Sequence, residues 1–155
     1  MTGFRLGEKS LANLSGVHDD LADVVRLAIT FTSQDFSIFE GLRTPERQEA
    51  LFKAGASKLD GVTKISRHQT GHAIDLVPYV AGKLRWEWPL FFPIADAVRR
   101  AAHQLRIPIR WGGTWTEITD TRYDGMTAEQ IYHSNPSWDG AHFELPTRAY
   151  PAGAH

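Results

Sequence analysis

The fold of this chain is decided by the stretch Ser66-Arg-His-Gln-Thr-Gly-His-Ala-Ile-Asp75 and by its counterpart near the other end, Trp138-Asp-Gly-Ala-His-Phe-Glu144. Residues 72–77 alternate in character, which is typical of a strand with Asp75 on one face and apolar neighbours on the other. Residues 142–145 alternate in the same manner, so His142 can face a cavity while its apolar neighbours enter the core. We expect two adjacent strands that bring Asp75 and His142 together.

One further histidine completes a metal-binding set. His68, Asp75 and His142 offer two imidazole nitrogens and one carboxylate oxygen, which are ligands that zinc prefers. A catalytic zinc keeps three protein ligands and leaves one position for water. His68 needs a turn to reach the same ion, and Thr70 and Gly71 supply the flexible point. The sequence therefore predicts one Zn²⁺ per chain, bound by these three side chains.

A competing pair of histidines has to be weighed against this set. His68 and His72 are four residues apart, which is the spacing of an H-E-x-x-H zinc helix. Gln69 stands where that motif needs its glutamate, and Gly71 disfavours a helix. We reject this pairing and expect His72 to support the site or the fold. Glu144 shares the face of His142, where it could either hold an imidazole N–H or be a solvated strand residue.

Four blocks of sequence resemble one group of enzymes. They are the Ser-x-His and Asp pattern of residues 66–75, the Asp-x-x-His pattern of 139–142, the Gly-Leu-Arg-Thr segment 41–44 with the Arg-Gln pair that follows it, and Trp-Gly-Gly at 111–113. In this order they are similar to the zinc D,D- and L,D-peptidases that cut peptidoglycan stem peptides. That group includes D-alanyl-D-alanine carboxypeptidases and the L-alanyl-D-glutamate endopeptidases that phages use as endolysins. The resemblance runs from about Leu11 to Leu145.

The resemblance implies a role for each matching residue. His68, Asp75 and His142 would hold the zinc. Asp139 would be the general base that takes a proton from water and passes it to the leaving amine. Arg43 would neutralise the oxyanion that develops on the scissile carbonyl, or it would hold a substrate carboxylate.

Each of the other roles has a simpler structural alternative. Asp139 precedes a glycine and could be a turn residue, and Arg43 could form only a salt bridge across a loop. Ser66, which the resemblance implies is a substrate-binding residue near the metal, could merely begin a turn. The chain also departs from the group at one position. Many phage members carry Trp-Gly-Gly-Asp-Trp, whereas Thr114 stands at the acidic position here, so no acidic role can be assigned to it.

Length and composition limit the remaining possibilities. The 155 residues predict a single domain with its core over about 11–145 and no separate wall-binding module. Cysteine is absent, which excludes a disulfide framework and thiol catalysis. A net charge of −1 without runs of one sign argues against nucleic acid as a partner. We find no signal-peptide core and no apolar run of about 20 residues, so we expect no membrane insertion, and we expect a monomer.

Apolar periodicity predicts an α+β fold with a small, mainly antiparallel sheet and helices packed beside it. Helices are expected over Asp19–Thr32, from Pro45 to about Gly55, over Pro89–Leu105 and from Thr127; strands over Phe36–Glu40, 72–77, 107–111 and 142–145; and a hairpin over Pro78–Trp88 with its tip at Gly82 and Lys83. Arg99, Arg100 and Arg106 are expected to form a solvated basic surface, and the segment after Leu145 to be peripheral. The hedgehog/D,D-peptidase-like topology is implied by the resemblance and not by periodicity.

The resemblance implies a function as well. It points to a zinc metallopeptidase acting on bacterial peptidoglycan stem peptides, most closely a phage endolysin that cuts between L-alanine and D-glutamate and lyses the host. A D-alanyl-D-alanine carboxypeptidase is the alternative with the same metal chemistry. A non-catalytic zinc domain that binds wall peptides or a protein is a third possibility, against which Asp139 argues because a structural metal site needs no base. Without a signal peptide, such an enzyme would be made in the host cytoplasm and reach the wall through another route, such as a phage membrane pore.

Overall fold

The computed structural model describes residues 3–151. The helices are α1 (Glu8–Asn13), α2 (Asp19–Phe31), α3 (Pro45–Lys53), α4 (Trp88–Leu105) and α5 (Ala128–Ser134), and a 3₁₀ turn spans Thr121–Tyr123. The strands are β1 (Phe36–Glu40), β2 (Ala73–Val80), β3 (Lys83–Leu84), β4 (Arg110–Trp111), β5 (Thr116–Glu117) and β6 (His142–Glu144). Among these helices, none combines the length and the apolar character needed to cross a bilayer.

The strands pair antiparallel in the order β1-β2-β6-β4-β5, and β3 pairs with the carboxyl-terminal end of β2. The predicted α+β class and mainly antiparallel sheet are confirmed. β2 and β6 are neighbours, and their register places Asp75 directly opposite His142. The adjacency that alternation predicted for these two side chains is therefore present in the sheet.

The two longest helices, α2 and α4, pack against each other and share one hydrophobic core with the sheet. Alternation along β2 sends Ile74 and Leu76 into this core, where Phe143 of β6 joins them. Burying a side chain of this size contributes about 1.5–3 kcal/mol. Asp75 projects from the other face of β2, because successive side chains of a strand point in opposite directions. The core thus fixes one face of β2, and the opposite face presents Asp75 to the candidate site.

The starts of α3 and α5 follow signals that can be read in the sequence. The Thr44 hydroxyl accepts a hydrogen bond from the Arg47 N–H (3.1 Å), and Pro45 occupies the first turn of α3. Thr127 and Gln130 form the predicted capping box of α5. These caps fix the points at which the chain leaves the sheet and enters each helix.

The hairpin after β2 turns one residue earlier than predicted. Its tip is Ala81 and Gly82, with φ of +49° and +82°, and Lys83 already pairs with Val80. Two positive φ values in a two-residue loop match the right-handed twist of the flanking strands. The strand expected over 107–111 is also shorter, because only Arg110–Trp111 carries ladder pairing.

The expected solvated basic surface on α4 is wrong for Arg99. Its guanidinium donates to the backbone carbonyls of Ile118 (2.8 Å), Tyr123 (2.7 Å) and Met126 (2.8 Å). Arg99 therefore ties the segment before α5 onto α4. Periodicity places such a residue on the outside of the helix, but it cannot show that an irregular segment covers that side.

The expectation that the segment after Leu145 is peripheral is wrong for the part that ends at Tyr150. The Tyr150 hydroxyl donates to Asp20 Oδ2 (2.6 Å), and the Tyr150 carbonyl accepts a hydrogen bond from Arg67 (2.9 Å). These contacts hold Tyr150 against α2 and against the turn before β2. Residues 152–155, which the same expectation included, lie outside the described residues.

Candidate metal centre

Three side chains converge where the turn before β2 meets β2 and β6. Asp75 Oδ1 lies 3.4 Å from His68 Nε2 and 3.5 Å from His142 Nδ1. One ligand atom from each of the three residues lies within 4.8 Å of the others. Both imidazoles are buried, and the Asp75 side chain is only 17% exposed. The structure thus brings together all three predicted ligands in a group that could hold a metal ion.

The spacing of these atoms fits a tetrahedral ion. Ligand atoms about 2.0–2.1 Å from a tetrahedral zinc are separated from each other by about 3.3–3.4 Å, close to the 3.4 Å and 3.5 Å that separate Asp75 Oδ1 from the two imidazole nitrogens. Asp75 Oδ1 is moreover buried and accepts no hydrogen bond from the described residues. Burial of a carboxylate oxygen without a partner is costly. A cation at this point would remove that cost.

The second nitrogen of each imidazole is held by an acceptor. His68 Nδ1 lies 3.0 Å from the Gly41 carbonyl oxygen, and His142 Nε2 lies 2.8 Å from Glu144 Oε1. Because both partners are acceptors, His68 carries a proton on Nδ1 and His142 carries one on Nε2. When the nitrogens that face Asp75 carry no proton, the lone pairs of His68 Nε2 and His142 Nδ1 point towards it, which is the arrangement of a metal-ligating histidine with its outer partner. Glu144 is therefore a buried partner of His142 and not a solvated strand residue.

The charges of the group are strongly coupled. Burial alone would raise the pKa of the Asp75 carboxyl, but the imidazoles of His142 and His68 beside it outweigh that effect and hold the pKa well below its usual range. Burial alone would lower the pKa of His142, yet interaction with Asp75 and Glu144 raises it to about 9. The carboxylates are thus ionised at neutral pH, and His142 carries a proton that a metal ion would displace.

The predicted turn delivers His68 to the group. Residues 67–71 form a turn and not a helix, which confirms the rejection of the His68 and His72 pairing. Gly71 has a φ of +76°, and a Cβ there would lie 2.4 Å from the Gly16 carbonyl oxygen, so only glycine suits the position. His72 is buried with Nδ1 2.7 Å from the Thr70 hydroxyl oxygen, outside the three-residue metal group.

Asp139 lies in the loop before β6, in the same cleft as the three ligands. Its backbone is fixed on both sides: its N–H donates to the Gly112 carbonyl, and its carbonyl accepts from the His142 N–H, both at 3.2 Å. A Cβ at Gly112 would lie 2.3 Å from the Asp139 carbonyl oxygen, so this close approach needs glycine. Burial, the nearby imidazoles and the Asp75 charge together leave the Asp139 pKa raised, with burial as the main cause.

Arg43 sits just before α3 and reaches the cleft with its side chain 10% exposed. Its guanidinium donates to Glu40 Oε1 and to Gln48 Oε1, the latter at 2.8 Å. Its backbone N–H donates to the His68 carbonyl (2.9 Å). The salt bridge that offered a simpler alternative for Arg43 is therefore present, and it orients a cation that also lines the cleft.

The cleft around these residues has a volume of about 710 Å³. Its lining includes the three metal-ligand candidates, Asp139, Arg43 and Ser66, so the structure places every predicted site residue together. The remaining lining side chains are Phe39, Glu40, Arg47, Leu51, Trp115 and Trp138, with residues 55–59 of the loop after α3. A cleft of this size takes an extended peptide segment or a drug-sized ligand.

Comparisons of the sequence and of the structure with known proteins identify the family of this chain. The family model of the phage L-alanyl-D-glutamate peptidase matches residues 2–146. This chain belongs to that family. It is 32% identical over 146 residues to the L-alanyl-D-glutamate peptidase of Escherichia phage T5, an alignment that covers 92% of this chain and 98% of the phage protein. The crystal structure of Serratia marcescens L-Ala D-Glu endopeptidase ChiX superposes with a TM-score of 0.73 and 41% identity, covering 94% of this chain and 92% of that one.

Thr114 and Ser66, which the sequence singled out, both have a structural role near the cleft. Thr114, found where many phage members have an acid, is buried; its hydroxyl accepts from Thr116 (3.3 Å) and its carbonyl from Asn135 (3.2 Å). Thr114 therefore braces the turn between β4 and β5. Ser66 is also buried, and its hydroxyl accepts the His68 N–H (3.2 Å), so it shapes the turn that carries the ligand.

Sequence reasoning overlooked two groups that position the site. The Gly41 carbonyl orients His68, and no side-chain pattern marks a backbone acceptor of this kind. Gln48 entered only as part of the Arg-Gln pair in the family resemblance. It is fully buried, and its amide accepts from Arg43 while donating to Leu59 O (2.6 Å) and Ser57 Oγ (2.9 Å). The Arg-Gln pair of the resemblance was the signal in the sequence that pointed to this position.

Proposed function

We propose that this protein is a zinc metallopeptidase that hydrolyses the L-alanyl-D-glutamate bond of peptidoglycan stem peptides, in the role of a phage endolysin. One observation carries the proposal. Two imidazoles, each oriented by its own acceptor, and an unpartnered carboxylate oxygen lie within 4.8 Å of one another, and the half-buried Asp139 lines the same cleft. Membership of the phage L-alanyl-D-glutamate peptidase family supports the choice of bond.

The ligand set suits zinc, which when bound polarises a carbonyl and lowers the pKa of water to about 7. The proton transfers of the reaction are assigned to a side chain of the protein. In this proposal Asp139, which lines the cleft, accepts a proton from the attacking water and returns it to the leaving amine. Its raised pKa makes it a stronger base than an exposed aspartate, and a positioned carboxylate contributes roughly 10²–10⁴-fold to the rate.

Arg43 and Ser66 are proposed to contact the substrate. The Arg43 guanidinium is held by Glu40 and Gln48, so it can face a developing oxyanion or a substrate carboxylate without losing side-chain entropy on binding. Ser66 lines the cleft beside His68, and its hydroxyl proton is free to donate because its oxygen already accepts the His68 N–H.

The experiment that tests this function uses purified, zinc-loaded protein and defined muropeptides with tetrapeptide and pentapeptide stems. Products are identified by mass spectrometry, with a chelated sample as control. We expect chelator-sensitive release of the stem beginning at D-glutamate. Release of terminal D-alanine alone would replace this proposal with a carboxypeptidase, and cleavage of neither bond would remove the peptidase function.

A matched pair of aspartate variants tests the assignment of the base. Asp139→Asn should keep zinc, measured by metal analysis, and lower kcat by about 10²–10⁴-fold. Asp23→Asn, on the exposed side of α2, should behave as the unmodified protein. Near-normal turnover by Asp139→Asn would contradict the mechanism while leaving the metal site in place.

We also propose that the protein acts as a one-domain monomer, is made in the host cytoplasm, and reaches the wall through a separate route such as a phage membrane pore. Family membership supports this setting, because the family is one of phage peptidases. Expression in a bacterial host with and without a pore-forming phage protein tests the route. Lysis that requires both proteins is expected, and lysis by this protein alone would reject the need for a pore.

A further inference from the structure

Two tryptophans form an aromatic wall of the cleft that the proposed chemistry does not use. Trp115 and Trp138 both line the cleft, with ring centroids 6.1 Å apart. Trp138 is 74% exposed, although its side chain is large and mainly apolar. The Trp115 ring lies 5.0 Å from the ring of His142, so the wall begins at the metal group. Exposed aromatic surface beside a reaction centre marks a binding surface.

The aromatic wall is held in place by its backbone. Trp115 has a φ of +53°, a conformation that is unusual for a bulky residue, and such outliers cluster at functional sites. Its N–H donates to the Trp111 carbonyl (2.7 Å), which fixes this turn. The Ser137 N–H donates to the Gly113 carbonyl (2.9 Å), so the loop carrying Trp138 is tied to the same turn. The backbone that carries both rings is therefore fixed before any ligand arrives.

The other side of the metal group has a different chemistry. Arg43, Arg47 and Lys58 line the cleft from α3 and the loops that flank it, and the Arg43 N–H donates to the backbone of His68. Within the cleft, Arg43 is thus joined to His68 through its backbone, whereas the Trp115 ring lies next to His142. The Arg110 guanidinium lies 5.1 Å from the centre of the Trp115 ring but does not line the cleft. A substrate with an anion on one side of its scissile bond and an apolar ring face on the other would match both sides.

The substrate class of the proposed function has this asymmetry. On the leaving side, D-glutamate linked through its γ-carboxyl carries a free α-carboxylate next to the scissile nitrogen. On the other side, L-alanine is joined directly to the lactyl group of N-acetylmuramic acid. The C–H face of a pyranose ring packs well on an aromatic face, whose quadrupole favours polarised hydrogens.

We propose that the aromatic wall of Trp115 and Trp138 is a subsite for the N-acetylmuramic acid ring, on the amino-terminal side of the scissile bond. This inference rests on the proposed function and extends it from the peptide to the glycan. It also sets the direction of the substrate: the sugar lies beside His142 and the D-glutamate carboxylate lies beside Arg43. The enzyme then prefers stems that are still attached to glycan over free peptides.

The test compares two substrates that share one stem tripeptide. One carries N-acetylmuramic acid on L-alanine, and the other carries only an acetyl group there. For Trp138→Ala we expect kcat/KM to fall by about tenfold on the sugar-bearing substrate and by less than about twofold on the acetylated peptide. Trp138→Phe should recover most of the loss. Leu105→Ala, which removes an exposed apolar side chain at the end of α4 and outside the cleft, is the control and should change neither value.

Other outcomes would overturn the subsite or the function separately. An equal loss on both substrates, or no loss on either, rejects the sugar subsite while the peptidase stands. A loss that disappears when the substrate is shortened to end at D-glutamate would place the third stem residue on the aromatic wall instead. If the unmodified zinc-loaded protein cuts neither substrate, the proposed function itself fails.

Discussion

The two imidazoles of the candidate metal centre are supported in different ways. His142 lies on β6 opposite Asp75, and its outer partner Glu144 is two residues along the same strand. His68 comes from a turn, and its outer partner is the Gly41 carbonyl, 27 positions away in sequence. The sheet side is thus built from local strand periodicity, and the loop side from contacts between distant segments. The sheet side should therefore fix the affinity for metal, while the loop side should fix the shape of the cleft.

The most direct way to break the centre is to remove the ligand shared by both sides. Asp75→Ala deletes the carboxylate that lies within 3.5 Å of both imidazoles. Structural zinc sites gain about 10–16 kcal/mol from four ligands, so losing one should raise the metal Kd by about 10²-fold or more. Competition with a chromogenic chelator measures this. The control is Asp23→Ala on α2, and an unchanged Kd for Asp75→Ala would show that the ion binds elsewhere.

A smaller loss is expected when only the outer partner on the sheet side changes. Glu144→Gln keeps the shape of the side chain but removes the charge that holds the His142 N–H. Outer partners of this kind typically contribute 10–100-fold to metal affinity. We expect a Kd increase of about 10–100-fold by the same chelator assay. Glu117→Gln, on β5 at the edge of the sheet and outside the cleft, is the control; equal effects of both variants would reject a specific role for Glu144.

The same contrast explains how much could be predicted from the sequence. Alternation along 72–77 and 142–145 indicated which face of each strand carries Asp75 and His142, because a period of two fixes which side chains share a face. The structure then pairs the two residues directly, as expected for adjacent strands. It also left Glu144 as a possible partner, although only the register shows that it is buried against His142. Strand periodicity was therefore sufficient to predict most of the sheet side of the centre.

The loop side could not be predicted in this way. Nothing local to Gly41 marks its carbonyl as the acceptor for His68, and Gln48 meets Leu59 only after the loop has folded back onto α3. The expectation for Arg99 was wrong for the same reason, since its partners belong to an irregular segment that helix periodicity cannot place. Backbone acceptors and long-range polar contacts are set by tertiary packing, which a single sequence does not encode in any fixed spacing.

The affinity of the centre for metal should also depend on pH. The pKa of His142 is raised to about 9 in the metal-free protein, so a bound proton competes with the metal at neutral pH. Apparent metal affinity should rise by about tenfold for each pH unit up to about pH 9 and then level off. Calorimetry in buffers of different ionisation enthalpy should show close to one proton released at pH 7. An affinity independent of pH between 6 and 8 would contradict this, and Glu144→Gln should shift the plateau to lower pH.

The raised pKa also makes the stability of the metal-free protein depend on pH. A proton bound more tightly in the folded state stabilises it fully below the unfolded pKa of about 6.5, and that contribution is lost as the pH rises through about 9. We therefore expect the urea midpoint of the metal-free protein to fall between pH 6.5 and 9. The zinc-loaded protein should not show this fall, because its His142 carries no exchangeable proton on Nδ1. Parallel curves for the two forms would reject the linkage.

The smallest effect on metal affinity is expected on the loop side. Gln48→Leu is of similar size but leaves the Leu59 carbonyl and the Arg43 guanidinium without their partner. An unsatisfied buried group costs about 1–3 kcal/mol, so the urea midpoint should fall clearly, whereas the metal Kd should change by less than about threefold. Activity should fall as well, because Arg43 and residues 57–59 line the cleft. If Gln48→Leu weakened metal binding as much as Glu144→Gln, the two sides of the centre would act as one cooperative unit. The inference that the sheet side sets the metal affinity and the loop side sets the shape of the cleft would then be wrong.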